Sequence, residues 1–211
     1  MEDDQLCSDD EVDELERRNA FLQFNEIRRL AALDFANPGC VVIDVEMAKR
    51  LHVFATTDIF SFAGQLRSGY VGIGGTTHRP PPADEVPGYL DEMFKYVVDH
   101  WDASPVHLCS YLLWRCNWIH PFRNGNGRTT RGLAYLAFLL RLRYEPGGSP
   151  SFIEMIGDDK SLYYSSLDDA DAAWRDGRID VSSMEKKASE LLSKQLVKTL
   201  AEAGVKLPPR K

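Results

Sequence analysis

The sequence predicts an all-α protein, a helical bundle around one central buried helix at about 128–143, with a small β-hairpin flap at about 69–77. Three observations lead there. The stretch from Arg128 to Arg143 carries Leu133, Ala134, Leu136, Ala137, Phe138, Leu139 and Leu140, apolar nearly all the way round, as in a helix enclosed by other helices. Elsewhere apolar residues recur at helical spacing between turn-forming clusters. Tyr70-Val71-Gly72-Ile73-Gly74-Gly75, in contrast, alternates larger and small residues as an extended segment does.

Residues 1–10 read as an acidic flexible tail, and a helix follows over about 11–33, with Glu11, Asp13 and Glu14 suited to the positive end of its dipole. Leu15, Leu22, Ile27 and Leu30 make an approximate apolar stripe, and Asn37-Pro38-Gly39 ends the segment with turn chemistry. A second helix is expected at about 44–54. After the flap, Pro80-Pro81-Pro82 holds the chain extended, and Asp84 or Glu85 opens a helix with Leu90, Met93, Phe94 and Val97 on one face. Ser104 as N-cap and Pro105 in the first turn start the next helix, which ends near Ile119. Gly147-Gly148 breaks the central helix, and helices at about 158–175 and 181–203 precede a carboxy-terminal tail, 204–211. With no internal repeat and no long linker, 11–203 reads as a single domain.

Composition narrows the partners. The chain has 211 residues, 44% hydrophobic and 27% charged, enough for one substantial core, and a net charge of -7 with no dense Lys/Arg cluster argues against nucleic acid. The amino terminus, Met1-Glu2-Asp3-Asp4, lacks the basic and apolar order of a secretory signal, and the longest apolar run, Leu133 to Leu140, is far shorter than the roughly 20 residues of a membrane span. A cytoplasmic protein with no membrane partner is expected. Cys7, Cys40, Cys109 and Cys116 form no C-x-x-C pair and are read as reduced, with Cys109, Cys116, Trp114, Trp118 and Trp174 assigned to packing.

The chemistry concentrates between His120 and Arg131. Pro121 pushes His120 out of the helical region, which holds an imidazole at a helix exit as a candidate base. Gly125 and Gly127 flank Asn126 and let the backbone approach a ligand, and the following helix start offers free N–H groups and a positive dipole end. Arg128 and Arg131 stand at that same helix start, where two cations need a compensating anion, and their i,i+3 spacing puts them on one face. Two arginines, a nest of amides and the Asn126 amide together suit a polyphosphate.

His120, Phe122, Gly125, Asn126, Gly127, Arg128 and Arg131 resemble the Fic family signature His-x-Phe-x-[Asp/Glu]-Gly-Asn-Gly-Arg-x-x-Arg. More loosely, Gly69 to Glu85 is similar to the family's flap and proline segment, and Tyr163-Tyr164 with Asp168 to Asp171 to its carboxy-terminal helices. The resemblance implies a Fido-type bundle that transfers AMP from ATP, with Mg²⁺ or Mn²⁺, to a Tyr, Thr or Ser hydroxyl of a target protein. It implies that His120 is the general base and that Phe122 anchors the loop. Asn126 and nearby amides would hold the α- and β-phosphates, Arg128 the β- and γ-phosphates, and Arg131 the γ-phosphate end. Tyr70, Val71 and Ile73 would dock the target by strand addition, and a tyrosine of the pair Tyr163-Tyr164 would line an adenine pocket.

Two departures accompany the match. The acidic position that helps hold Mg²⁺ in the family is Asn124, a neutral and weaker ligand for a hard dication. The family's inhibitory segment, [Ser/Thr]-x-x-x-Glu-[Gly/Asn], whose Glu pairs with the second motif arginine, finds an incomplete counterpart in which Glu16 is the candidate glutamate and Val12 stands at the Ser/Thr position. Alternatives are transfer of another phosphate-containing group, removal of AMP, or a weakly active nucleotide-binding regulator or toxin–antitoxin component, with an antitoxin or a second copy of the chain as partner. His78, beside the proline run, is expected to be exposed.

Overall fold

The computed structural model describes residues 4–74, 76, 78–158 and 160–205, and among these it contains eight α-helices and no β-ladder. The chain divides into two compact units, Met1–Arg143 and Tyr144–Lys211. None of the described helices is long and apolar enough to cross a membrane.

In the first unit, α1 (Asp9–Ala36) begins at a Ser8/Glu11 box in which Glu11 Oε2 accepts the Ser8 N–H at 2.9 Å and the Ser8 hydroxyl at 2.6 Å. Its buried face is more polar than the expected stripe: Ile27 and Leu30 are buried but Leu22 is exposed, while Asn19, Gln23 and Glu26 are buried in its place. Each has a partner that explains the exchange. The Asn19 amide donates to Thr57 O at 2.7 Å, the Gln23 amide donates to Leu51 O at 2.8 Å, and Glu26 pairs with Arg29 and Arg50. These bonds run mostly to α2 (Val45–Thr56) and the turn after it, and α2 itself is capped by Asp44, whose carboxylate accepts the Met47 N–H at 2.8 Å.

A short 3-10 turn, Ala83–Glu85, leads into α3 (Val86–Asp99), and α4 (Pro105–Ile119) starts at Ser104, whose hydroxyl accepts the His107 N–H at 3.0 Å as the sequence indicated. Helix α5 (Asn126–Leu142) packs against α1, α2 and α4, and Leu133 to Leu140 are all buried, so the all-round apolar pattern does mark the centre of this unit. Cys109 and Cys116 lie in the core beside it.

The second unit holds α6 (Phe152–Asp158), α7 (Lys160–Arg175) and α8 (Ser182–Glu202). Helix α6 was not foreseen, because its 7 residues are too few to display a period. Gln195 organises this unit: its amide donates to Pro146 O at 3.1 Å and Gly147 O at 3.0 Å, and its Oε1 accepts the Phe152 N–H at 2.8 Å. Tyr163 and Tyr164 fall on α7.

Two expectations are revised near the termini of the first unit's loops. From Asp4 on, the segment read as a free tail lies against residues 59–61: Leu6 N–H donates to Ile59 O at 2.8 Å, Ser61 N–H to Asp4 O at 2.9 Å, and Gln5 and Phe60 form an isolated antiparallel bridge. The hairpin expected at about 69–77 is absent from Gly69–Gly74 and Thr76, which carry no ladder; residues 75 and 77 lie outside the described residues. The Gly69 carbonyl at its start and the Pro81 carbonyl, four residues beyond its end, accept from the Arg67 guanidinium at 3.1 Å and 2.5 Å.

Candidate active site

Helix α4 ends at His120, which takes the left-handed conformation, φ 50 and ψ 60, while its N–H still donates to Cys116 O at 3.0 Å. Pro121 bars the right-handed helical geometry, and a non-glycine residue in this alternative is strained by roughly 1–2 kcal/mol. Something must hold it. Arg67, only 4% exposed, donates from Nε to His120 O at 2.8 Å and from Nη2 to Ile119 O at 3.3 Å, and its backbone N–H donates to Pro121 O at 2.9 Å. The same guanidinium ties Gly69 and Pro81, so one side chain joins the base of the flap to the histidine. Burial lowers the Arg67 pKa, consistent with an arginine compensated by carbonyl dipoles in place of a carboxylate.

The loop that follows is fixed by its own polar groups. Phe122 is fully buried, and the Asn126 side chain brackets its backbone: Oδ1 accepts the Phe122 N–H at 2.9 Å and Nδ2 donates to Phe122 O at 2.8 Å. The amide expected to meet a phosphate is therefore committed to loop shape, which leaves Asn126 its backbone N–H for a ligand. Asn124 is exposed, and its Oδ1 accepts the Gly125 N–H at 2.6 Å. Gly125, at φ 71, is the N-cap of α5, and a Cβ there would sit 2.6 Å from Thr56 Cγ2, so both its conformation and its closeness to α2 call for glycine.

His52 on α2 completes this support and was not anticipated. Its ring stacks on Phe122 at 3.9 Å between centroids with a 6° interplanar angle, Nε2 lies 3.0 Å from Asn124 O, and Nδ1 accepts the Gly64 N–H at 2.8 Å.

The charges converge at the α5 start. Unlike α2 and α4, α5 has no side-chain cap, so its first N–H groups and its dipole face the loop unanswered. Arg128 donates to Ala55 O at 3.0 Å and pairs with Glu16 at 3.0 Å, with side chains 17% and 40% exposed. Arg131 has no hydrogen bond or ion pair among the described residues, and its Nη1 lies 3.4 Å from where a Cβ on Gly127 would stand. Glu16 thus reaches the first motif arginine and not the second, whose Nη1 lies beside Gly127 in the first turn of α5. Burial and the Arg131 charge lower the Arg128 pKa while Glu16 raises it, the first of these being largest.

Both imidazoles are held neutral. Burial pulls His120 down to about 4, with the Asn117 backbone opposing and the Arg67 and His78 charges assisting, although no partner meets its buried Nδ1 in hydrogen-bonding geometry. Burial likewise pulls His52 to about 4, against the bond to Asn124 and with the Arg128 charge. For each, the folded value lies below the ordinary 6.5, so the unfolded chain takes up protons that the folded chain refuses between those values. The stabilisation is complete above pH 6.5 and is lost as pH falls toward about 4. Guanidinium unfolding at pH 7 and pH 5 should therefore show a lower midpoint at pH 5, and equal midpoints would contradict the burial.

A divalent metal does not fit the loop's own residues. No cluster of metal-ligating side chains occurs among the described residues, and Asn124 offers one neutral oxygen that already accepts from Gly125. His78 is half-buried, with Nε2 2.9 Å from Trp118 O and its ring tilted on Trp118, so it is less exposed than expected. Tyr70 is 76% exposed and Val71 and Ile73 are half-buried; no hydrogen bond or ring contact joins these three to the loop among the described residues.

The chain has recognisable relatives. Residues 42–138 match the model of the Fic/DOC family. Two curated relatives, each named Protein adenylyltransferase Fic, from Drosophila persimilis and Drosophila pseudoobscura pseudoobscura, are 30% identical over 106 residues, 49% of this chain. The chain spans only 19% of the length of either. Among solved structures, a Fic family protein from Desulfovibrio desulfuricans G20 superposes with a TM-score of 0.68 at 21% identity, covering 91% of this chain and 55% of that one. A Fic domain containing signaling protein from Bacteroides thetaiotaomicron VPI-5482 gives 0.67 at 20% identity, covering 92% and 74%.

Proposed function

We propose, from the match of residues 42–138 to the Fic/DOC family model and from the geometry of the loop, that the chain is a protein adenylyltransferase. It moves AMP from ATP to a Tyr, Thr or Ser hydroxyl of a target protein. His120 accepts the hydroxyl proton, the oxygen bonds to the α-phosphorus, and the anhydride bond to the β-phosphate breaks, releasing pyrophosphate. The observation that carries this reading is the uncapped start of α5, with Arg131 lacking a carboxylate partner among the described residues and a neutral His120 six residues before the helix in the chain. Backbone N–H groups of residues 126–128, Arg128 and Arg131 receive the phosphates. Tyr70, Val71 and Ile73 receive the target, because a segment without a strand partner leaves backbone groups open to an incoming strand.

The test uses α- and γ-labelled ATP with wild-type protein and His120→Ala. Label from the α-phosphate that disappears in the variant supports adenylylation. Label from the γ-phosphate means phosphoryl transfer, and label from neither, with ATP still bound, means a nucleotide-binding regulator or toxin–antitoxin component. That second reading draws on Asn124: without a carboxylate the loop gives Mg²⁺ or Mn²⁺ no charge of its own. Asn124→Asp should accordingly raise metal-dependent transfer in a titration, and an unchanged or lower rate removes Asn124 from any ligand role.

In the same reading Glu16 competes with the γ-phosphate for Arg128. A partly exposed pair of this kind is worth about 0.2–1 kcal/mol, which caps its competition at about fivefold in nucleotide affinity. Glu16→Gly should therefore tighten ATP binding and raise autoadenylylation by about two- to fivefold. Unchanged affinity and rate would mean that the pair only tethers α1.

A further inference from the structure

His52 lies one helix away from the phosphate site and makes no direct use of the groups assigned to it. Its hydrogen-bond pattern nevertheless fixes its chemistry. Gly64 presents a backbone N–H to Nδ1 at 2.8 Å, and because a backbone N–H can only donate, Nδ1 must be the unprotonated nitrogen. The ring proton is therefore on Nε2, which donates to Asn124 O at 3.0 Å. The ring is buried, sandwiched at 3.9 Å on Phe122, and its Nε2 stands 3.4 Å from where Gly125 would carry a Cβ. One imidazole thus touches three consecutive parts of the loop, the anchor Phe122, the Asn124 carbonyl and the left-handed Gly125.

These contacts bear on the direction of the α5 start. The Asn124–Gly125 peptide is the last unit before the helix, and the orientation of its carbonyl sets how the chain enters Asn126, Gly127 and Arg128. Asn126 fixes the earlier end of the loop through both backbone groups of Phe122, but it places no bond on the Asn124 carbonyl. His52 supplies that bond.

We propose that His52, as the neutral Nε2–H tautomer set by Gly64, is the positioning residue that holds the Asn124–Gly125 turn and thereby aims the α5 N–H groups at a bound phosphate. This rests on the reading of that helix start as the phosphate site. The residue acts through Asn124 O and touches no substrate. Protonation of Nδ1 would set two N–H groups against each other at Gly64, so only the neutral ring does this work.

The experiment pairs two readouts. In wild-type protein with ¹⁵N-labelled histidine, the His52 ring nitrogens should show the neutral Nε2–H form at pH 7 without tautomer exchange; an Nδ1–H or exchanging ring overturns the proposal without any mutation. Amide spectra of His52→Phe, which keeps the stack on Phe122 and loses both hydrogen bonds, should show shifted Gly125, Gly127 and Arg128 resonances and ATP affinity lower by about tenfold or more, with His52→Gln, which restores a donor, recovering part of it. Wild-type affinity and unmoved loop amides in a folded His52→Phe overturn the proposal. Wild-type protein that binds no ATP would bring down the nucleotide reading instead, and the tautomer and the amide shifts then decide the role of His52 by themselves.

Discussion

Replacing His120 by alanine should reduce adenylyl transfer by about 10²–10⁴-fold, the usual contribution of a positioned general base, while ATP affinity stays within about twofold because no phosphate-binding group is touched. The magnitude follows from where the ring is held. Its backbone is pinned in a strained left-handed turn by Pro121 on one side and by the Arg67 bond to His120 O on the other, so the imidazole has little freedom to wander from the loop. Burial lowers its pKa to about 4, so the ring is neutral and able to accept a proton throughout the physiological range. The pH profile carries a second, independent signature. A protonated imidazole cannot act as a base, so the rate should hold as pH falls below 6.5 and be lost only toward about 4. Retained label in His120→Ala, or an acid limb centred near the ordinary histidine value, would remove His120 from the role of base.

Parts of this site were legible because they depend on local rules. Pro121 after His120 announces a helix exit, Ser104 and Pro105 announce a helix start, and the apolar girth of 133–140 announces a central helix. Each of these signals needs only its own neighbours. His52 and Arg67 were not legible, since each acts across more than fifty residues: His52 bonds to Asn124 O and Arg67 to His120 O. In the sequence, His52 is a lone histidine on a helical pattern and Arg67 one arginine among the ordinary surface cations. Asn126 was found but the bonds of its side chain to Phe122 were not, because a motif records that an amide is present and not which backbone it satisfies. The polar face of α1 escaped for a related reason. Apolar periodicity cannot register Asn19, Gln23 and Glu26, whose burial is made tolerable by partners on and after α2. Glu16 falls between these cases: its sequence position suggested a competitor for an anion site, but only the fold decides that Arg128 and not Arg131 receives it.

The buried guanidinium leads to the second large expected effect. Arg67→Met should lower the unfolding free energy by about 3 kcal/mol and the thermal midpoint by about 6–12 °C, because methionine fills part of the volume but satisfies none of the carbonyls. The carbonyls of Gly69, Pro81, Ile119 and His120 all accept from this side chain, and a charge-assisted bond is worth about 1.5–3 kcal/mol when its partner is left buried. The sum is reduced because removing the arginine also relieves the cost of burying its charge, which the lowered pKa records. Arg67→Lys should recover only part of the loss: an ammonium has three donors on a point charge and cannot span acceptors laid out for a planar fork. Activity should suffer beyond what stability explains. At a temperature where Arg67→Met is fully folded, the strained His120 loses the bond that holds its carbonyl, and the base of the flap at Gly69 separates from the loop. Transfer should therefore fall at least tenfold, on the order of what a displacement well under 1 Å costs a positioned group, with the loss in kcat. A variant that keeps both its melting temperature and its kcat would show that the carbonyls find other donors and that Arg67 is not what joins the flap to the base.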